Sequence, residues 1–490
     1  MNDQIKVLFI ASEAEPVIKI GGLADVAGSL PAALKAISVS TEIDGDIDIR
    51  LAIPFHPELK DRIGPVRDVG TLVIPSIRGP MLAQFYILVE TEAEGSVPIY
   101  LIDGPPIKES PTVYSDNILV DGWKYVFFSL AALGIPEAIN WQPDILHAND
   151  WHTAPAVYSA FLDRSGEGAA SETQTVLSIH NLPYTGAGAE TALEAFGLPP
   201  AASPELPWWA QNQPLPVGLV TADRLVAVSP NYAREICTPE FGAGLEGLLQ
   251  ARGSAISGIL NGIDQDLWDP AMDPSIRMQY SLSSLPARLR NKSALQMEAD
   301  LPISKDPLLL SIVSRMVHQK GIDLAIEALQ TLGDANWQAV ILGSGDPQLE
   351  TAALALQEQY PNQVRVQIGY DPNLSRRIFA GADAILIPSR YEPSGLTQMI
   401  GMRYGCVPIA RATGGLADTI TDYTESREGN GFLFEPESAN ALATVIARAI
   451  EVFPNKRKWQ GIQRRGMMGD YSWGRSARQY YALYQEMLRS

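Results

Sequence analysis

Two series of short apolar runs, separated by stretches in which apolar residues recur at helical spacing, constrain this chain more than any other feature. The first series is 6–12, 49–55, 98–103, 144–149, 175–181 and 224–230, and the second is 256–262, 308–315, 338–345, 364–369, 384–389 and 407–412. Runs this short and this rich in Val, Ile and Leu suit strands buried on both faces, and strands alternating with helices build parallel sheets. Both halves are therefore expected to be α/β, each a doubly wound parallel sheet. Several runs end in polar, Gly- or His-containing turns, and open α/β sheets bind ligands outside the carboxyl ends of their strands. Two such sheets facing one another would make a deep cleft.

A chain of 490 residues exceeds the roughly 100–200 residues of a typical domain, so two large domains are expected. GLLQARGSA at 247–255, followed by a fresh strand, marks the boundary. The expected division is an N-terminal domain over 1–255, a second over 256–470, and a last helix over 471–490. The aromatic and apolar residues of that helix fall at helical spacing, which would let it lie back on the first domain. Residues 186–216 are rich in Ala, Pro and Gly without periodicity, and a lid or a loose loop both fit. No internal repeat is visible.

The formal net charge of −19 argues against nucleic acid or an anionic membrane as partner, because phosphate surfaces are bound by basic ones. Any phosphate site must be local. Cys237 and Cys406 are the only cysteines, too few for a disulfide framework or a cysteine-rich zinc site, and a reducing cytoplasm fits best. The N-terminal apolar run is short and acidic-flanked, unlike a signal peptide, and no stretch approaches the roughly 20 apolar residues of a membrane span. His147 and His152 lack a clear third ligand, so structural roles are the plainer reading. The acidic 44–48 segment reads as a solvated loop. No required metal and no cofactor are expected.

Three segments carry chemistry. In 384–419, an apolar strand opens at Pro393 and Gly395 into a turn bearing Glu392, then a helix over 396–403 whose first N–H groups suit an anion. An ordinary strand, turn and helix with Glu392 as a cap is the alternative. KIGGLADVAG follows the first strand, with Gly21 and Gly22 permitting close backbone approach to a ligand and Lys19 supplying charge, although simple turn chemistry would look the same. VSRMVHQKG sets Arg315 and Lys320 at a helix entrance past a strand, either a diphosphate clamp or a pair of surface cations.

In this order, KIGGLADVAGSLPAAL, HANDWHTAPA, IHNLPYTG, VSPNYAREI, NGID, SRMVHQKGIDL, LGSGDP, IGYD, PSRYEPSGLTQMIGMRYG and TGGLADTI resemble the bacterial glycogen synthase and plant starch synthase family over nearly the whole chain. The resemblance implies two Rossmann-like domains around a cleft, the GT-B glycosyltransferase fold. It implies transfer of glucose from ADP-glucose to the non-reducing end of an α-1,4-glucan with retention at the anomeric carbon. By resemblance, Lys19, Gly21 and Gly22 face the donor phosphates and sugar, and Arg315 and Lys320 neutralise the departing diphosphate. Glu392 stabilises the glucosyl ring, and backbone groups near Ser394, Gly395, Leu396 and Thr397 hold phosphate oxygens. Tyr370 stacks on adenine and Asp121 serves the acceptor side. Asn149, His180 and Asn261 complete the substrate-binding positions.

The chain departs from the family pattern where Ile20 replaces Thr, Asn149 replaces the His that contacts the donor glucose, and Ala412 replaces an Arg. It also departs at 214–223 around Pro216, where the usual Lys-Ala-Gly is absent, and in DGWKY after Asp121. The departures cluster on the sugar and acceptor side. They leave open a nucleotide- or glucan-binding paralogue with weak or no catalysis, or a glucosyltransferase with another donor or acceptor.

Overall fold

The computed structural model describes every residue except 1–3, 40–44, 61, 166–172, 334, 425–427 and 490. Two compact units emerge, one comprising Met1–Gly262 with Trp473–Ser490 and the other Ile263–Ser472.

The sheet of the first unit contains β1 (Gln4–Ile10), β2 (Asp46–Pro54), β3 (Val66–Ile74), β4 (Met81–Leu88), β5 (Ile99–Asp103), β6 (Ile145–Asn149), β7 (Gln174–Ile179), β8 (Arg224–Ala227) and β9 (Ile256–Gly258). Their order is β3-β4-β5-β2-β1-β6-β7-β8-β9. The sheet is parallel except at one edge, where β3 and β4 pair antiparallel and β4 runs antiparallel to β5. This antiparallel edge is added to the parallel sheet expected from the sequence. β3 buries Ile74 alone of its nine residues, and β4 buries Ala83, Phe85, Ile87 and Leu88 with partly open residues among them, so neither forms a continuous buried run, and a register shift at Gly70 interrupts β3 further. A correction concerns β9, read from sequence as opening the second series, which pairs with β8 in the first sheet. Three half-buried residues carry no local information about which sheet will receive them.

Two further expectations change. Of the acidic 44–48 segment, residue 44 lies outside the described residues, while Asp46 and Asp48 belong to β2. Asp46 accepts from Gln4 Nε2 at 2.5 Å, and Asp48 accepts from Trp141 Nε1 at 2.7 Å and from Arg50. Side-chain donors thus engage both carboxylates, with Asp48 the less open of the two at 23% against 47% for Asp46. Residues 186–216 are neither lid nor loose loop. Leu193, Phe196, Leu198, Leu206 and Leu215 are buried in the unit's core, and Gly122 meets Ala189 so closely that a Cβ would stand 2.8 Å from the alanine methyl.

The helices Gly22–Val39 and Trp473–Arg489 contribute to one core layer, where Val26, Leu30 and Leu34 share a cluster with Trp473, Ala477, Tyr480 and Tyr484. His147 is wholly buried beneath them, its Nδ1 2.7 Å from the Tyr484 hydroxyl and its Nε2 2.7 Å from Ser178 Oγ. It ties the last helix to β6 and β7, so its role is structural.

The second unit holds β10 (Leu308–Val313), β11 (Trp337–Gly343), β12 (Val364–Ile368), β13 (Ala384–Ile387), β14 (Val407–Arg411) and β15 (Phe432–Phe434), in the order β12-β11-β10-β13-β14-β15. All pairings are parallel. Leu308, Leu310 and Ile312 enter one core layer and Leu309 the other, as do Ala339 and Ile341 against Val340 and Leu342. Burial on both faces explains the unbroken apolar runs. Among the described residues no helix is long and apolar enough to cross a membrane, and no group of His, Cys, Asp and Glu is disposed to hold a metal.

In each sheet the chain leaves its first strand in one direction and later returns to build in the other. That reversal falls between β1 and β6 in the first unit and between β10 and β13 in the second. Loops diverge at such a switch point and leave a crevice at the carboxyl edge.

Burial makes the first unit sensitive to acid. It lowers the imidazole of His147 to about 3 and that of His56 to about 4, and also depresses His152 and His180. The native state keeps these rings neutral, while the unfolded chain takes up protons below about pH 6.5. Stability is therefore complete above that value and falls with the pH through the window down to the folded values. Asp121 and Asp150, raised by burial, oppose the trend. The expected net loss is about 2–4 kcal/mol between pH 7 and pH 5. Calorimetric scans across that range would show it, and a flat midpoint for the first unit would contradict it.

Candidate active site

At the switch point of the second unit, the loop leaving β10 meets the loop leaving β13. Lys320 Nζ lies 2.8 Å and 2.7 Å from the two carboxylate oxygens of Glu392, and Ser389 Oγ donates to Oε2 at 2.8 Å. Glu392 is 7% exposed, whereas the Lys320 side chain keeps 19% of its surface open. A carboxylate so buried requires a counter-charge or several donors. Lys320 supplies both from 72 residues away in sequence.

The two loops are stitched along their length. Arg390 N donates to Gln319 O at 2.8 Å, and Gln319 Nε2 donates to Tyr391 O at 3.2 Å. The Arg390 guanidinium grips Asp323 through two bonds, at 2.9 and 2.6 Å, and also reaches His318 O and Glu437. Close backbone approach demands glycine at two points. Gly321 has φ +65° and a Cβ there would stand 2.1 Å from Pro388 O; Gly414 has φ +45° and a Cβ would stand 1.9 Å from Glu392 O. The second Gly-rich turn thereby closes under the Glu392 turn, with Gly415 N donating to Glu392 O at 3.0 Å.

Arg315 is exposed, and among the described residues its guanidinium makes no ion pair or hydrogen bond. Ser394 is buried, and its Oγ has no hydrogen-bond partner among the described residues. Gly395 turns the chain into Leu396, which caps the helix Thr397–Arg403, one residue later than the sequence suggested. The first N–H groups of that helix have no intrahelical acceptor. Tyr370 stands 86% exposed beyond β12, two strands away from β10, and Asp371 beside it caps the next helix. Arg411, next to Ala412, spends its guanidinium on the carbonyls of Arg390 and Glu435.

At the switch point of the first unit, Asn149 closes β6 and is 1% exposed. Its Nδ2 donates to Ile10 O at 3.0 Å, on the last residue of β1, and its Oδ1 lies 2.9 Å from His180 Nε2, just past β7. One amide thus bridges three neighbouring strand ends. The Gly-Gly loop is held by Glu13, a buried carboxylate that sequence reasoning passed over. Its oxygens accept from Ile20 N at 2.5 Å, from Gly21 N at 2.9 Å and from the Tyr114 hydroxyl at 2.9 Å. The signal was present as a carboxylate just beyond the first strand and seven residues ahead of the loop. Gly22 begins a helix with open space where a Cβ would sit, and Ile20 is exposed. Lys19 pairs with Asp25 at 2.6 Å and Glu15 at 3.6 Å.

Asp121 lies in the helix Ile118–Ala132 and is linked to Glu13 through the 110–115 loop, whose Tyr114 hydroxyl donates to Glu13 Oε1. The Asp121 carboxylate pairs with Lys124 at 2.7 Å and accepts from Ser115 N at 2.9 Å. Lys124 also donates to Ser110 Oγ, Thr112 O and Val113 O. Burial raises the Asp121 carboxyl and lowers the Lys124 amine, each opposed by the other's charge. With both oxygens engaged, Asp121 anchors the 110–115 loop to its helix. Asn261 is buried beyond β9, and its Oδ1 has no hydrogen-bond partner among the described residues. A cavity of about 600 Å³ elsewhere in the first unit, against Tyr158, Phe161, Pro199 and Arg252, contains none of these residues.

Residues 6–251 match the family model described as starch synthase catalytic domain, and residues 295–463 match that of glycosyl transferases group 1. The chain is 39% identical to a glycogen synthase from Anaeromyxobacter dehalogenans (strain 2CP-C), over 99% of this chain and 100% of that one. A glycogen synthase from Pasteurella multocida (strain Pm70) is 40% identical over 99% of each. Among solved structures, the catalytic domain of Starch Synthase IV from Arabidopsis thaliana, bound to ADP and acarbose, superposes with a TM-score of 0.86 at 30% identity. That match covers 99% of this chain and 100% of that one.

Proposed function

The chain belongs to the glycogen and starch synthase family, and from that membership we propose that it transfers glucose from ADP-glucose to the non-reducing end of an α-1,4-glucan with retention at the anomeric carbon. It is a glycosyltransferase, and its two units are those of the GT-B fold. The relatives named glycogen synthase and the ADP- and acarbose-bound starch synthase support this choice of donor and acceptor. A cytoplasmic setting belongs to this reading, since reducing conditions suit two free cysteines.

The observation that carries the reading is the Lys320–Glu392 pair across the switch point of the second unit. As the bond between glucose and diphosphate breaks, positive charge grows on the sugar and negative charge on the departing phosphate. A carboxylate beside an ammonium presents the complementary dipole, fixed before the reaction begins. In this reading Glu392 faces the developing cation, while Lys320 and the unpaired guanidinium of Arg315 face the diphosphate. Backbone groups from Ser394 to Thr397 receive phosphate oxygens, and Tyr370 offers its exposed ring to adenine. Lys19, now paired with Asp25, exchanges partners to reach the donor over Gly21 and Gly22. His180 and Asn261 serve sugar hydroxyls from the first unit, Asn149 supports them through His180, and Asp121 acts by holding the 110–115 loop through Ser115 N and Lys124.

The second reading, an altered donor or weakened catalysis, draws on Asn149, whose amide is satisfied at both ends within the protein. The deciding experiment incubates the purified full chain with glycogen and either ADP-glucose or UDP-glucose, and follows nucleotide release and glucan elongation. ADP-glucose-dependent growth of a chain that β-amylase shortens to maltose is the expected result. Tight ADP binding without elongation would overturn it in favour of a binding paralogue, and preference for UDP-glucose would overturn the choice of donor.

A further inference from the structure

The polar bridge over the switch point of the first unit specifies more than a shape. Ile10 O can only accept, so the Asn149 group 3.0 Å from it is the NH2, and Oδ1 necessarily faces His180. A carbonyl oxygen can only accept as well, which makes His180 Nε2, at 2.9 Å, the protonated ring nitrogen. In a neutral imidazole the proton on Nε2 leaves a lone pair on Nδ1. Among the described residues no hydrogen bond engages Nδ1, and the ring is only half-buried. The residue is held from its backbone too, where His180 N donates to Asp150 Oδ1 at 2.7 Å. Burial keeps the imidazole below its ordinary value and hence neutral at physiological pH.

We infer that Asn149 is a positioning residue that locks His180 in the Nε2–H tautomer, so that Nδ1 is presented at the carboxyl edge of the first sheet as an acceptor for a sugar hydroxyl. The assignment deepens the glucosyl-transfer reading and rests on it for the identity of the sugar. A neutral, tautomerically fixed ring can receive a hydroxyl proton in a hydrogen bond but has no proton at Nδ1 to give. His180 therefore selects and orients a hydroxyl and does not protonate a leaving group. The lock extends over three strands, since the same amide also fixes the end of β1.

The test is heteronuclear NMR on the full chain carrying 15N-histidine, in which five imidazoles are distinguished and His180 is assigned with His180→Gln. The free wild-type protein should show an unprotonated Nδ1 and a protonated Nε2 at His180, and the reverse would overturn the lock whether or not the protein is an active transferase. Asn149→Leu removes both amide contacts and should release the ring into a mixture of tautomers. Asn149→Asp retains the acceptor and should preserve Nε2–H. An unchanged tautomer in Asn149→Leu would also overturn the lock, and if either variant fails to fold, the wild-type spectrum still decides. Adding ADP-glucose or maltoheptaose in turn should shift Nδ1 with one of them, identifying the hydroxyl as the donor's or the glucan's; a shift with neither would overturn the acceptor role. In steady-state assays His180→Gln, whose amide oxygen can still accept, should retain more activity than His180→Phe. The latter should lose about tenfold in kcat/KM, mostly through KM for that same substrate.

Discussion

Glu392→Gln is expected to lower the rate of glucosyl transfer by about 10²–10³-fold while leaving a folded protein that binds ADP within a few-fold of wild type. The amide has the shape of the carboxylate, so it can still accept from Lys320 Nζ and can donate to Ser389 Oγ, the two side chains that now hold Glu392. What disappears is the negative charge opposite the developing positive charge on the sugar. That charge matters far more in the transition state than in the complex with ADP, where the sugar is absent. Single-turnover transfer from ADP-glucose, set beside calorimetric titration with ADP, separates the two. A parallel fall in ADP affinity and thermal midpoint would show that Glu392 holds the loops together and has no part in the chemistry.

Lys320→Ala should cost at least about a hundredfold in kcat/KM and, unlike Arg315→Ala, should also disturb Glu392. Without the ammonium, the 7% exposed carboxylate keeps Ser389 Oγ alone as a side-chain partner among the described residues. A buried carboxylate deprived of its counter-ion loses the contact that offsets its desolvation. The loss of stability should be about 1–3 kcal/mol, tempered because the lysine is partly open to solvent. Arg315 makes no such contact, and Arg315→Ala should reduce kcat/KM comparably without the drop in midpoint. Near-normal turnover in both variants, or identical midpoints in all three proteins, would remove the clamp from this place.

The difference between these two cations shows where sequence reasoning reached its limit. Arg315 and Lys320, five residues apart ahead of one helix, look equivalent in the chain. In the fold one is exposed and unpaired while the other is committed to a carboxylate. Similarly, Asp121 reads as an available carboxylate in VDGWKY, but Lys124 one helical turn away occupies it. The Gly-Gly loop was visible, whereas Glu13, which accepts from Ile20 N and Gly21 N of that loop and from the Tyr114 hydroxyl, was passed over, because its place just beyond the first strand did not show that it faces inward.

The fold class was legible because its signals are local. A strand buried on both faces must be apolar throughout, a helix repeats its apolar residues every three or four positions, and a glycine forced to positive φ cannot be replaced without strain. These rules sufficed for two α/β halves, for the carboxyl ends of most strands, and for the turns that carry Lys320, Glu392 and Asn149. They failed for β3 and β4, which lack a continuous buried run, and for β9, too short to announce its partner. Strand order belongs to no segment, because it follows from which packing of all the helices and strands buries the most surface. That order alone sets the loop after β10 beside the loop after β13, and the end of β1 beside the end of β6. Lys320 therefore finds Glu392 across 72 residues and Asn149 finds His180 across 31. The chain's chemistry of residue types could be read in one dimension, but the pairing of charges and the protonation of a ring were decided only when long-range packing brought their partners within hydrogen-bond distance.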